Sequence, residues 1–252
     1  MSGHSKWSTI KRKKAANDAK RGKIFTRLAR EITIAARQGG DPEANFTLRL
    51  AVERARAANM PKENIERAIK RGTGELKGAE QIEEVTYEAY APHGVALLVE
   101  VATDNRNRTI AEIKHVLSRN GGTMAEPGSV GWQFEQKGYI TVSAEKYEYE
   151  EVFLVAAEAG AEDVVDAEDL IEIFTPRESL QAVREALGEA GIEIEEARLD
   201  WVPKTPVDLD PEAAMKVMNV IEQLEDLDDT QMVYSNLNVT DELMKSFEAA
   251  AG

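Results

Sequence analysis

Eight cations, Lys6, Lys11, Arg12, Lys13, Lys14, Lys20, Arg21 and Lys23, fall within eighteen consecutive positions in which Asp18 is the sole carboxylate. Such a set can neutralise a run of phosphates, and the interleaved Trp7, Ser5, Ser8, Thr9 and Asn17 can stack on bases or hydrogen-bond to them. Polyanion binding is the chemistry this stretch offers, and nucleic acid is the commonest polyanion. The plain alternative is a solvated tail, or Trp7 packed into a core. A second candidate anion site is Thr103-Asp104-Asn105-Arg106-Asn107-Arg108-Thr109, at a strand-to-helix turn. There the free N–H groups of a helix start would add to Arg106 and Arg108. The plain alternative is capping by Asp104 or Asn105, with both arginines paired to carboxylates.

Other chemistries find little support. The chain has no cysteine, which excludes disulfides, thiolate metal sites and cysteine nucleophiles. Its three histidines, His4, His93 and His115, include no pair at the i, i+4 spacing of a helical metal site, so no metal or cofactor is expected. Gly72-Thr73-Gly74-Glu75-Leu76-Lys77-Gly78 has the glycine content of a phosphate loop, but it lacks the Gly-Lys-Ser/Thr ending and a preceding strand, and it reads as a linker. The cluster Glu225-Asp226-Leu227-Asp228-Asp229 lacks the glycine and closing glutamate of a calcium loop and reads as a solvated face at a helix end. No spacing singles out a nucleophile with its base, so the expectation is a non-enzymatic protein.

The charge distribution places the basic stretch in a larger asymmetry. Residues 1–75 carry 18 Lys and Arg against 8 Asp and Glu, while the remaining 177 carry 13 against 38, so the overall −15 hides a basic head on an acidic body. That split invites the head to dock on the body when no polyanion is present. At 252 residues and 42% hydrophobic content the chain can bury two or three cores. No apolar run approaches the roughly 18 residues of a membrane span, and the expected setting is the cytoplasm.

Hydrophobic periodicity then supplies the elements. Helices are predicted near 10–20, 23–37, 43–58 and 61–71, with Asp41-Pro42 as the start signal of the third and Pro61 opening the fourth. The first has little to bury beyond Ile10, Ala15 and Ala19. After the glycine-rich linker the period changes to that of strands. Val95 to Ala102 is nearly continuous in apolar residues and suits the centre of a sheet. A helix over about 107–119 and a strand near 130–136 follow. Residues 138–201 read as strand, helix, two short strands, helix and strand, the βαββαβ order of a ferredoxin-like unit. Its second helix has the capping-box sequence Thr175-Pro176-Arg177-Glu178. A helix capped by Asp210-Pro211 and a strand over 230–236 have partners only in the strands at 82–136.

The predicted architecture is therefore α+β: an N-terminal helical bundle followed by two ferredoxin-like α/β domains, one inserted in the other. Its parts are a basic helical domain over 1–75, a discontinuous domain over 82–137 and 202–238, an inserted domain over 138–201 and a C-terminal helix over 239–252.

Gly3-His4-Ser5-Lys6-Trp7 with Ile10-Lys11, Asp18-Ala19-Lys20-Arg21-Gly22-Lys23 and the run from Met60 to Gly72 carry a resemblance to the YebC/PmpR family. Thr103 to Thr109, Gly128-Ser129-Val130 with Trp132 and Phe134, and Asp228-Asp229 with Val233-Tyr234-Ser235-Asn236 extend it over essentially the whole chain. The family is related to the mitochondrial translational activator of cytochrome c oxidase. The resemblance implies three domains, the third inserted in the second, and no catalytic residues. It further implies a transcriptional regulator that binds DNA, or alternatively a ribosome-associated, RNA-binding translation factor. The chain departs from the family at Glu88-Ala89-Tyr90-Ala91-Pro92-His93-Gly94, where glycines are usual. A type I turn with Pro92 second and Gly94 fourth is expected there.

Overall fold

The computed structural model describes residues 21–76, 82–167, 169–240 and 243. Two units emerge: Phe134–Lys204, and the sequence on either side of it, Ser2–Gln133 with Thr205–Gly252. The chain thus combines helices at its N-terminal side with two antiparallel sheets, an α+β fold, the strands of one sheet lying on both sides of the other in sequence.

Among the described residues the helical part comprises α1 (Arg21–Ala35), prolonged by a single tight turn over Ala36–Gln38, α2 (Phe46–Ala57) and α3 (Lys62–Gly72). Ile32 and Ala35 of α1, Leu48, Ala51, Val52 and Ala55 of α2, and Ile65 and Ala68 of α3 form one buried core, as their 3.6-residue spacing requires. The Asp41-Pro42 start signal corresponds to a separate turn, in which Asp41 Oδ1 accepts from the Glu43 amide. The cap of α2 is instead Asn45, whose side chain accepts from Leu48 N and donates to the Ala35 and Gly39 carbonyls. Gly72, expected to open a linker, is the last residue of α3. A Cβ there would overlap the Thr33 carbonyl of α1, so glycine is what lets the two helices touch.

In the flanking unit β1 (Glu83–Tyr90), β2 (Ala96–Thr103), α4 (Arg106–Arg119), β3 (Thr123–Met124), α7 (Pro211–Glu225) and β8 (Thr230–Ser235) build one layer of sheet and one of helix. The strand order is β3-β1-β2-β8, all pairs antiparallel. The apolar run read as central is β2, between β1 and β8. α4 and α7 pack Ile113, Leu117, Val217, Ile221 and Leu224 against Leu97, Val99 and Val101. Asp210 caps α7, accepting from Ala213 N at 3.0 Å. The β1–β2 connection is not a type I turn. His93 has φ 64° and Gly94 φ 77°, two left-handed residues in succession, where type I would place His93 near −90°. Histidine is among the few non-glycine residues that enter this region readily. The Glu88 carboxylate accepts from the amides of Gly128, Val130 and Gly131 at 2.6, 2.5 and 2.9 Å, and Trp132 Nε1 donates to Ser129 O. That fixes the 128–133 loop with the Trp132 ring 68% exposed.

The Phe134–Lys204 unit runs β4 (Phe134–Ser143), α5 (Tyr149–Glu158), β5 (Asp163–Ala167), β6 (Leu170–Pro176), α6 (Leu180–Glu189) and β7 (Ile194–Pro203). Its order β5-β6-β4-β7 is that of a ferredoxin-like sheet, with Ile140, Val142, Ile171 and Ile173 packed under Val152, Ala156, Val183 and Leu187. Two sequence expectations change here. The strands near 130–136 and 139–143 are a single ten-residue strand passing through Gly138, where a Cβ would meet Thr175 Oγ1 and come within 2.9 Å of Leu180 Cβ. The capping box does not form: Thr175 stays in β6 with its hydroxyl on Pro176 O, a tight turn over Arg177–Ser179 intervenes, and α6 starts at Leu180. The C-terminal helix expected over 239–252 lies, apart from 239, 240 and 243, outside the described residues.

Candidate nucleic-acid interface

Of the predicted phosphate contacts, Lys6, Trp7, Lys11, Arg12, Lys13, Lys14 and Lys20 lie outside the described residues. Arg21 opens α1. Lys23, two residues further on, donates from Nζ to the Asp226 carbonyl at 3.0 Å. That carbonyl belongs to the C-cap of α7, the negative end of a helix dipole, so the cation is well placed electrostatically.

Two turns on, Arg30 reaches the same acidic segment, donating to the Asp228 carbonyl and, at 2.5 Å, to Asp229 Oδ1. Asp229 is 1% exposed and collects further donors: Arg108 on both carboxylate oxygens at 3.0 and 2.8 Å, Thr103 Oγ1 at 2.9 Å and Thr109 Oγ1 at 2.5 Å. Burial alone would raise its pKa. The hydrogen bonds of Thr109 and Arg108, the charge of Arg30 and the Thr103 hydroxyl overcome that and hold it below the ordinary aspartate range. The reading of 225–229 as a solvated face is corrected accordingly: Asp226 and Asp228 are exposed, but Glu225 and Asp229 are buried, and the segment seats α1. Arg37 completes the attachment with a hydrogen bond to Ile82 O and an ion pair to Glu84 at 3.8 Å.

The candidate second anion site is already furnished with carboxylates. Arg106 Nε lies 2.5 Å from Glu83, and Arg108 binds Asp104 as well as Asp229. Asn105 caps α4, accepting from Arg108 N at 3.1 Å.

Between α1, α3 and the ends of the strands opens a cleft of about 460 Å³. Phe25, Ala29, Met60, Ala68, Leu76 and Ile82 give it apolar walls, and its charged lining is Arg30, Arg67, Arg71 and Asp104, of which Arg30 is engaged by Asp228 and Asp229. Arg67 and Arg71 share one face of α3 at i, i+4 spacing. The exposed Lys70 adds charge to the same helix. Sequence reading concentrated on the N-terminal run and missed these arginines. Their signal was there, in cations recurring at the polar edge of two apolar helical faces. α2 and α3 are joined by only four residues, 58–61, with Asn59 left-handed at φ 60°. A helix-turn-helix has a connection of that length. Among the described residues no group of three His, Asp or Glu could hold a metal ion, and no helix is long and apolar enough to cross a membrane.

Residues 5–75 match the family model described as the TACO1/YebC protein N-terminal domain, and residues 82–237 match that described as the TACO1/YebC second and third domain. A "Probable transcriptional regulatory protein" of Roseiflexus castenholzii is 53% identical over 252 residues, covering 98% of this chain and 99% of that one. A protein of the same name from Persephonella marina is 54% identical over 248 residues, covering 97% and 99%. Among solved structures, the crystal structure of a conserved hypothetical protein from Aquifex aeolicus, Aq1575, is similar with a TM-score of 0.80 at 49% identity, covering 89% of this chain and 93% of that one.

Proposed function

Because the chain belongs to the TACO1/YebC family, we propose that it is a non-enzymatic nucleic-acid-binding regulator that acts in transcription, holding DNA phosphates with its basic helical head. The observation that carries this reading is the run of cations Arg67, Lys70 and Arg71 on α3, in the same basic stretch of sequence as the Lys6 to Lys23 run and opposite in sign to the rest of the chain. Phosphate contacts come from Lys6, Lys11, Arg12, Lys13, Lys14, Lys20 and Arg21, and from Lys23 on its release from the Asp226 carbonyl, with Trp7 as a stacker and Arg67 and Lys70 extending the surface. The short α2–α3 turn and the cations of α3 favour duplex binding. The names of the relatives from Roseiflexus and Persephonella agree with a role in transcription.

The cleft itself favours a second reading. A concave site with apolar walls and the exposed Arg67 on its lining suits an unstacked base with its phosphate, the form in which RNA loops are recognised. On that reading the protein is a ribosome-associated, RNA-binding translation factor. Fluorescence anisotropy of the full chain with a duplex DNA and an RNA hairpin of equal length, over a range of salt, separates the two. Engagement of five to seven phosphates gives a slope of log K against log salt of roughly −4 to −6. Tighter duplex binding supports transcription, tighter hairpin binding supports translation, and a slope near zero with both removes the nucleic-acid reading.

A further inference from the structure

In the Phe134–Lys204 unit, helix α5 is apolar on two sides. Val152 and Ala156 are buried against the sheet, as the fold requires. On the outer side, however, Phe153 is 43% and Leu154 60% exposed, with Ala157 exposed one turn further on. Among the described residues these are two of four large apolar side chains left in solvent and the only adjacent pair. The Phe153 ring stacks on that of Tyr149, one turn back, with centroids 5.9 Å apart. An amphipathic helix that served only its own sheet would carry polar residues here.

The surroundings are one-signed. Exposed Glu150, Glu151 and Glu158 flank the ridge, and between residues 144 and 170 the sequence holds ten carboxylates against one cation, Lys146, itself paired with Glu193 at 2.7 Å. The unit as a whole carries 19 acidic against 6 basic residues. An anionic membrane surface and a nucleic acid are both repelled by such a rim. What complements it is a cationic protein segment that also presents apolar side chains.

We propose that the outer face of α5 is a docking surface for a basic protein, with Phe153 and Leu154 as the apolar anchors and the glutamates around them selecting Lys- and Arg-rich partners. The proposal is independent of nucleic-acid binding by the head. Its test uses the full chain and an amphipathic Leu/Lys helical peptide as probe, with a Ser/Lys peptide of equal charge as control. Amide shifts on titration are expected to cluster on residues 149–158. The double substitution Phe153→Ser, Leu154→Ser should weaken the Leu/Lys peptide by about tenfold or more, as loss of a central anchor does, and leave nucleic-acid binding as it was. Glu150→Gln with Glu158→Gln should flatten its salt dependence. Shifts spread over the whole acidic surface, equal affinity for both peptides, or a double variant that binds like the parent would each overturn the proposal. So would sedimentation showing that the same double substitution dissolves a self-association of the chain, which would make a second copy the occupant.

Discussion

Asp229 and Arg30 stand 199 positions apart in sequence and meet at 2.5 Å, and the same carboxylate holds Arg108 on the opposite side. One buried anion thus joins α1 to the start of α4 and to the turn before β8. Removing it takes their shared acceptor from two guanidiniums and two threonine hydroxyls, leaving Arg30 the Asp228 carbonyl, Arg108 the Asp104 carboxylate and Thr109 the Asn105 carbonyl. Asp229→Ala is expected to cost about 3–5 kcal/mol in urea unfolding, the range for an orphaned buried pair. Arg30→Ala, after which Arg108 still balances the charge, should cost about 1.5–3 kcal/mol. Equal losses in the two variants would contradict this ordering.

The same node sets a pH dependence. Asp229 titrates below its unfolded value of about 3.9, so its contribution is complete above that value and fades as pH falls through the lower folded one. The stability gap between the parent and Asp229→Asn should be constant from about pH 7 to 5 and shrink below about pH 4. A gap that widened on acidification would show that the aspartate is not held ionised.

Glu88 offers a test of the 128–133 loop. Partial burial pulls its pKa up, but the three amides of Gly128, Val130 and Gly131 pull it further down, so it sits as a carboxylate at neutral pH. Glu88→Ala should speed amide exchange at those three positions and lower stability by about 1–3 kcal/mol. Unchanged exchange there would mean that the loop is held by its own turn.

Glycines separate close packing from spare freedom. Gly72→Ala places a methyl group on the Thr33 carbonyl and should destabilise by about 1–3 kcal/mol. Gly22→Ala, with nothing within 4 Å of the added carbon and a helical backbone, should stabilise by about 0.5–1 kcal/mol. Thermal unfolding of both variants reads the contrast directly.

The cations of α3 have a signature in salt. Arg67→Ala with Lys70→Ala should weaken DNA and RNA alike and reduce the magnitude of the salt slope by about 2, one for each lost phosphate contact. Weaker binding at an unchanged slope would point to lost packing of α3 in place of lost contacts.

Much of this arrangement was legible in sequence wherever the determinant is local. The apolar period of α1 to α3, the continuous apolar run of β2 and the Asp210 cap of α7 depend on neighbours within a turn or a strand, and the structure shows them. The same locality misled at Gly138, where glycine serves the passage of α6 over an unbroken strand, and at Thr175, where strand pairing prevailed over a helix-start pattern. His93 adopts a left-handed backbone that composition alone does not dictate. Asp229 was out of reach of any spacing argument, because its partners come from residues 30, 103, 108 and 109. The cleft arginines fell between: visible as periodic cations, but meaningful only once α1 and α3 face each other.

The placement of the Asp229 turn also orders events in time. It lies downstream of the whole Phe134–Lys204 unit, so a ribosome adding about 5–20 residues per second reaches it roughly 10–40 s after making Arg30. Throughout that interval a newborn head holds Lys23 and Arg30 with their final acceptors not yet synthesised. Their first encounters are with whatever anions surround the growing chain, and attachment to the α7 end closes the sequence of assembly.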